Sequence, residues 1–176
     1  MTGTDLNDDP RWQKLAARGG LITLPFDAPD GWPHGPLPKG EKALEVGGDR
    51  LSPAYCTMQG HRFLRALLLL PITDARTAFG FETWGSVSEE SWQGWLSARA
   101  GGEPFAGCFA WVANALPGFE GAVGCNLVPG PPGQLPRLQP QPGHALHEAQ
   151  REGISLAQLA EIHAAAGVDF AALLEA

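Results

Sequence analysis

The sequence AFGFETWGSVSEESWQGWL, residues 78–96, changes its hydrophobic period at Ser88 from that of a strand to that of a helix. Over residues 78–87 the pattern alternates, so successive side chains point to opposite faces of a sheet. Glu82 and Trp84 share one face. The other face carries the bulky apolar residues that we predict to be core, namely Phe79, Phe81 and Val87. We therefore predict a central strand here.

A capped helix follows this strand. Ser88 can accept a hydrogen bond from a free amide group of the first turn, and Glu89 and Glu90 lie where the helix dipole favours negative charge. Apolar residues then occur at positions i, i+3 and i+4 and give the helix one apolar face, formed by Trp92, Trp95 and Leu96. We predict that these three side chains join the core.

Three further segments have the patterns of strands. Residues 62–72, RFLRALLLLPI, are too apolar to face water, and we predict that they pair antiparallel with residues 78–87 as a hairpin. Residues 105–113 alternate, with Phe109 and Trp111 on one side and smaller residues on the other. The pair Pro117-Gly118, typical of a type II turn, predicts a return along residues 119–128.

Proline and glycine divide the rest of the chain. Residues 27–40 contain so many of both that only an irregular loop fits, and residues 129–133, PGPPG, interrupt the sheet. Pro136 has no N–H group to donate, so we expect residues 134–139 to form an edge strand. With helical patterns over residues 144–175, the sequence predicts one α+β domain spanning the whole chain. This domain has an antiparallel sheet with packed helices and a helical C-terminal part.

The charge of the chain limits its partners. Lys and Arg number 12 against 19 Asp and Glu, which gives a formal net charge of −7. Phosphate groups are recognised by concentrated basic surfaces, so we expect no nucleic-acid partner and no membrane partner. The longest apolar run, residues 66–70, is far too short to span a bilayer, and the acidic start MTGTDLNDDP is unlike a signal peptide. We expect a cytoplasmic protein.

The three cysteines, Cys56, Cys108 and Cys125, lie at wide spacing without a CxxC pair, which argues against a disulfide framework and a zinc ribbon. A nucleophilic thiol needs a nearby imidazole that lowers its pKa, and His61 is close to Cys56 in sequence. We nevertheless favour cysteine as a small buried apolar residue.

Three blocks of sequence occur in a fixed order. They are W-x-S-x-S around Trp84, N-x-LPG-F at residues 114–119, and H-x-L-x-E-x-Q-x-x-GIS at residues 144–155. Together they resemble a bacterial family known as a domain of unknown function, number 2199 in that series, over residues 51–163. The resemblance implies a bacterial intracellular protein and brings no established activity. The cysteine-paired N-terminal segment that is common in that family is absent here, so no zinc site is carried over.

The best candidate site from spacing is HALHE, with His144, His147 and Glu148. Two histidines three residues apart share one face of a helix and can serve as two ligands of one metal ion. The spacing matches neither HExxH nor HxxEH, and no third ligand can be named. We favour a capping role for His144 and a solvated His147, and we predict no metal or cofactor. A metal site at these two histidines is the alternative.

Glu82 is an acidic residue within an otherwise apolar strand. It is either a residue at the rim of a half-exposed face or a buried carboxylate, and we favour the first reading. Arg62 and Arg65 flank the neighbouring apolar segment and can pair with acidic residues such as Glu82, which would make a structural ion pair rather than a site. The face that carries Glu82 and Trp84 is where we would search first for a site.

Trp84 and Trp32 are the candidates for contact with a ligand or partner. Trp32 lies in the 27–40 loop, and long irregular loops are often functional, although we favour the reading in which this residue fastens the loop to the body. The aromatic residues and the lack of a catalytic signature favour a non-catalytic binding or protein-interaction module, acting on a protein partner or as a homodimer. The alternatives are a small metal-assisted enzyme using His144 and His147, and an immunity or antitoxin-like protein.

Overall fold

The computed structural model describes residues 8–18, 20–73 and 75–170. Its strands are β1 (Gly20–Pro25), β2 (Leu44–Val46), β3 (Asp49–Leu51), β4 (Tyr55–Met58), β5 (His61–Pro71), β6 (Thr77–Val87), β7 (Cys108–Val112), β8 (Gly124–Val128) and β9 (Arg137–Pro140). Its helices are α1 (Pro10–Arg18), α2 (Glu89–Arg99), α3 (Ala145–Glu152) and α4 (Leu156–Ala165). Within these ranges no helix combines the length and apolar character needed to cross a membrane. The predicted helical segment after Phe170 lies outside the described residues.

The described strands form one sheet in the order β1-β6-β7-β8-β9-β5-β4-β3-β2, and β5 also pairs with β6. This extra ladder between β5 and β6 closes the five strands β5, β6, β7, β8 and β9 into a ring. The α+β class is confirmed, and most of the ladders are antiparallel. Two are parallel, β1 with β6 and β5 with β9, because long connections rather than hairpins join these pairs.

The β5–β6 hairpin is the element that all other strands extend. It pairs antiparallel from Arg62↔Val87 to Pro71↔Ala78, as the sequence predicted. Each strand is 11 residues long. The edge of each strand that faces away from the hairpin pairs with two further strands. The edge of β5 pairs first with β4 and then with β9, whereas that of β6 pairs first with β1 and then with β7. The hairpin therefore belongs both to the ring and to the strands outside it.

Two apolar clusters lie on opposite faces of this hairpin. The main core includes the side chains predicted from the alternation and from the helix pattern, which are Phe79, Phe81, Val87 and Trp92, with Trp95 and Leu96 packed against them. A second, smaller core lies on the other face and consists of Leu51, Cys56, Met58, Phe63 and Trp84. The 27–40 loop is irregular, as predicted, and its Trp32 and Leu37 pack against the second core. That face of the hairpin is thus covered by protein.

Strand β9 is not an edge strand, so the prediction for residues 134–139 is wrong. It pairs antiparallel with β8 and parallel with β5 at Leu67↔Arg137, so it has a neighbour on each side. Pro136 lies just before the strand, and its carbonyl accepts a hydrogen bond of 2.9 Å from the Leu67 N–H. The ladder needs an acceptor at this position, so the missing N–H of proline costs no hydrogen bond.

A glutamine side chain completes the junction between β5 and β9. The Nε2 atom of Gln150, on α3, lies 3.1 Å from the Leu69 carbonyl oxygen of β5 and 3.2 Å from the Leu138 carbonyl oxygen of β9. An amide nitrogen has two hydrogens, so it can donate to both strands at once. Gln150 therefore supplies donors where the parallel ladder stops.

We expect Gln150→Leu to lower the free energy of unfolding by about 1–3 kcal/mol, because two strand carbonyls lose their donor. Urea unfolding followed by circular dichroism measures this change. Gln139→Leu is the matched control, since Gln139 is exposed on β9, and it should change stability by less than about 0.5 kcal/mol. Equal effects of the two substitutions would contradict the bridging role.

Candidate functional site

The second core brings together the two tryptophans that the sequence singled out. Trp84 is completely buried, and its indole Nε1–H donates to the Phe26 carbonyl at 2.9 Å. Trp32 is partly exposed, donates to the Gly35 carbonyl at 2.7 Å, and has its ring edge-to-face with His34. Both indole N–H groups are thus used within the protein. A ligand reaches Trp84 only if the 27–40 loop moves.

The carboxamide of Asn114 fastens that loop to the hairpin. Its Oδ1 accepts hydrogen bonds from the Thr83 hydroxyl at 2.6 Å and from the Trp84 N–H at 3.2 Å, both on β6. Its Nδ2 donates to the Ala28 carbonyl at 2.9 Å and to the Asp30 carboxylate at 3.1 Å, both in the loop. All four hydrogen-bonding positions of the side chain are therefore occupied. The arrangement is that of a structural joint.

Asp30 and Asp49 take part in two attachments of the 27–40 loop, at Asp30 itself and at His34. The Asp30 carboxylate accepts from the Ala115 N–H at 2.7 Å, and the Asp30 N–H donates to the Ala113 carbonyl at 2.9 Å. Asp49 Oδ2 lies 2.9 Å from His34 Nε2. This hydrogen bond, followed by one from the Gln59 amide, lowers the pKa of Asp49. The carboxylates near Trp32 are thus engaged with the protein.

Glu82 is partly buried and forms an ion pair with Arg65, and the face on which it lies is covered rather than half-exposed as we expected. Arg65 Nη2 is 3.1 Å from Glu82 Oε1, and both side chains are about one-quarter exposed. The Arg65 guanidinium also lies over the Trp84 ring, 5.8 Å from its centroid. Arg62 pairs instead with Glu89 at 3.2 Å. The contacts of Glu82 are those of a structural residue.

The two histidines at the start of α3 are separately engaged. His144 Nδ1 accepts from the Leu146 N–H at 3.0 Å, and His144 Nε2 donates to the Glu120 carbonyl at 2.9 Å. His147 is partly buried rather than solvated as we expected, and its Nδ1 donates to the Pro140 carbonyl at 3.0 Å. His144 is the N-cap that the sequence favoured, and neither of its nitrogens can bind a metal without losing a hydrogen bond.

Glu148 faces a different region, a cleft of about 270 Å³ between α3 and α4. Glu152 and Glu161 also line this cleft, above a floor that includes Phe119 and Ile162. The described residues contain no group of three or more His, Cys, Asp or Glu side chains placed to hold a metal ion. The residues proposed from spacing therefore lie in several separate environments.

Cys56 lies in the second core with no exposed surface, and burial, aided by the charge of Asp49, raises the pKa of its thiol to about 12. Its partner on β5 is Phe63, whereas His61 is exposed at the start of that strand. The folded state favours the neutral thiol. Below pH 9.0, the ordinary pKa of a thiol, this preference contributes to the free energy of unfolding. The contribution is lost as the pH rises from 9.0 toward 12.

The outward surface of β7 and β8 carries the largest aromatic groups that remain exposed among the described residues. Phe109 is 42% exposed and Trp111 is 51% exposed, with ring centroids 5.1 Å apart and planes at 85°. Gly124 lies opposite Trp111 and leaves room for both rings, since a Cβ there would be 3.1 Å from Phe109. The sequence alternation placed both aromatics on one side of the strand but did not show which side is outside.

Three uncharged polar residues lie beside this pair on the neighbouring strands. Asn126 lies opposite Phe109, Ser86 lies opposite Trp111, and Gln139 follows opposite Asn126. We call this surface the aromatic face; its residues are Ser86, Phe109, Trp111, Gly124, Asn126 and Gln139. It combines two exposed aromatic side chains with three uncharged polar side chains.

Comparison with known families finds a match over residues 18–154, to the family described as "Uncharacterized protein conserved in bacteria (DUF2199)". The match covers well over half of the chain and includes most of the three blocks of sequence. Comparison with curated proteins and with solved structures finds no match.

We expect the Cys56 thiol to resist the thiol reagent DTNB in the native protein at pH 8 and to react only after unfolding in urea, because it is buried and neutral. The number and rate of reacting thiols are read from absorbance, with Cys56→Ala used to assign the signal. His61→Ala should leave the rates unchanged. Rapid native labelling of Cys56 that slows in His61→Ala would instead support a nucleophile.

Proposed function

The chain belongs to the bacterial family DUF2199, and we propose that it is a non-catalytic module that binds a protein partner through the aromatic face. The observation that carries this proposal is the exposed edge-to-face pair of Phe109 and Trp111. The chain has three free cysteines, Cys56, Cys108 and Cys125. Thiols stay reduced in the cytoplasm, so these residues support action there.

Energetics favours a partner at this surface. Full burial of a large apolar side chain is worth about 1.5–3 kcal/mol, and roughly half of that gain is still unrealised for Phe109 and Trp111. Aromatic residues are enriched at protein interfaces, whereas charged residues are depleted at interface centres. The aromatic face has this composition although the chain as a whole carries a net charge of −7. A partner that contacts these six residues therefore desolvates no charged side chain among them.

The orientation of the rings indicates the kind of partner. Stacking of a sugar ring or a nucleobase needs an open, flat aromatic surface. Phe109 and Trp111 are nearly perpendicular and form a ridge rather than a platform. A ridge fits into an apolar cleft, so the partner we propose is a protein that presents such a cleft.

The other functions have less support. A metal-assisted reaction at His144 and His147 would have to break the cap of α3 and the hydrogen bond to Glu120. No specific observation favours an immunity or antitoxin-like role. The interaction module is the function that the geometry supports best.

We expect a photo-crosslinking amino acid placed at position 109 to capture one protein in the source bacterium. That protein, once purified, should bind Trp111→Ser about 30-fold more weakly than the original chain in isothermal titration calorimetry. The reason is that a central interface aromatic typically contributes about 2 kcal/mol or more.

Leu21→Ser is the matched control, because Leu21 is an exposed apolar residue on β1 with 45% exposure. This variant should bind the captured protein within about twofold of the original chain. Equal crosslinking from positions 109 and 21, or unchanged affinity for Trp111→Ser, would show that the aromatic face is not the contact surface.

A further inference from the structure

A separate pocket of about 450 Å³ lies between the end of α2 and the proline-rich segment that follows β8. Trp95, Arg99 and Phe105 line one side, and Pro131, Pro132 and Pro136 line the other. The walls are thus mostly aromatic and aliphatic, with one cationic side chain among them. Its volume lies within the range of small-molecule binding sites.

Arg99 is held in place by aromatic rings. Its Cζ atom lies 5.0 Å from the ring centroid of Trp95 and 5.6 Å from that of Tyr55, within the range of cation–π contacts. Arg99 is an exposed residue, so its guanidinium remains open to solvent beside the two rings. A guanidinium fixed in this way loses little conformational freedom when it binds a ligand.

Arg99 also differs from most of the other arginines in its lack of an acidic partner. Within the part of the chain that the structure describes, no carboxylate forms an ion pair with Arg99, and its guanidinium N–H groups donate no hydrogen bond to a protein acceptor. Other arginines do have acidic partners within 4.0 Å, namely Arg11, Arg50, Arg62, Arg65 and Arg151. In a chain with a net charge of −7, a positioned arginine without such a partner is available to an external anion.

We propose that this pocket binds a small molecule that combines a planar ring with an anionic group such as a carboxylate, sulfonate or phosphate. The ring lies between the aromatic side, Trp95 and Phe105, and the prolines, where it buries apolar surface. The anion accepts charge-assisted hydrogen bonds from Arg99. A cationic ligand is disfavoured because Arg99 repels it. This site is independent of the aromatic face.

Two dyes with the same ring system test the proposal. Anilinonaphthalenesulfonate carries a sulfonate, and N-phenylnaphthylamine lacks it. We expect saturable binding of the anionic dye to the original chain, measured by fluorescence titration. Arg99→Gln should weaken that binding about tenfold or more, because a charge-assisted hydrogen bond is lost, and should change binding of the neutral dye less than twofold.

Two variants and one condition complete the test. Arg151→Gln removes an exposed arginine on α3 and should leave binding of the anionic dye unchanged. Arg99→Lys keeps the charge without the planar fork and should give intermediate affinity. Higher ionic strength should weaken binding of the anionic dye and leave binding of the neutral dye unchanged. Near-ultraviolet circular dichroism shows whether each variant keeps its native packing.

Three results would overturn the proposal. The first is the absence of saturable binding of the anionic dye to the original chain. The second is unchanged affinity of that dye for a folded Arg99→Gln. The third is an equal loss of affinity for both dyes in Arg99→Gln. That result would mean that the substitution altered the pocket rather than a contact with the anion.

Discussion

The hydrogen bonds of the Asn114 carboxamide hold an irregular loop against a sheet, and the second core depends on them. The 27–40 loop contains no regular element, so it cannot attach to β6 through a ladder of backbone hydrogen bonds. Asn114 replaces that ladder by accepting from Thr83 and Trp84 and by donating to Ala28 and Asp30. Trp84 is completely buried beneath this loop. The joint therefore decides whether one face of the central hairpin is covered.

The blocks of sequence that carry the family resemblance lie largely at joints of this kind. Ser88 caps α2, Asn114 joins the loop to β6, and Gln150 donates to two strands where the ring closes. At the end of the last block, the Ile154 N–H donates to the Pro71 carbonyl at 2.8 Å and so attaches α3 to the hairpin. The proposed contact surfaces use other residues. The aromatic face and the pocket at Arg99 lie mainly outside these blocks, so the motifs explain the fold better than the function.

Local patterns could be predicted from the sequence, and long-range closure could not. The alternation up to Val87 and the cap at Ser88 are properties of neighbouring residues, and both are present in the structure. The parallel pairing of β5 with β9 joins segments that are distant in sequence, and no local sequence pattern predicts it. The outward position of Trp111 was missed for a packing reason. The ring interior is narrow, since a Cβ on Gly85 would lie 3.2 Å from Ala110, so small residues of β7 face inward and aromatic ones face out.

Amide hydrogen exchange of the Asn114→Ala variant tests the central joint most directly. In the original chain the Asp30 N–H donates to the Ala113 carbonyl, so it should exchange slowly. Loss of the carboxamide should speed exchange at Asp30 and at the Trp84 indole by about 30-fold, corresponding to about 2 kcal/mol of local stability. The amide of Phe109 on β7 should keep its original rate. Unchanged exchange at Asp30, or the same acceleration at Phe109, would contradict the account.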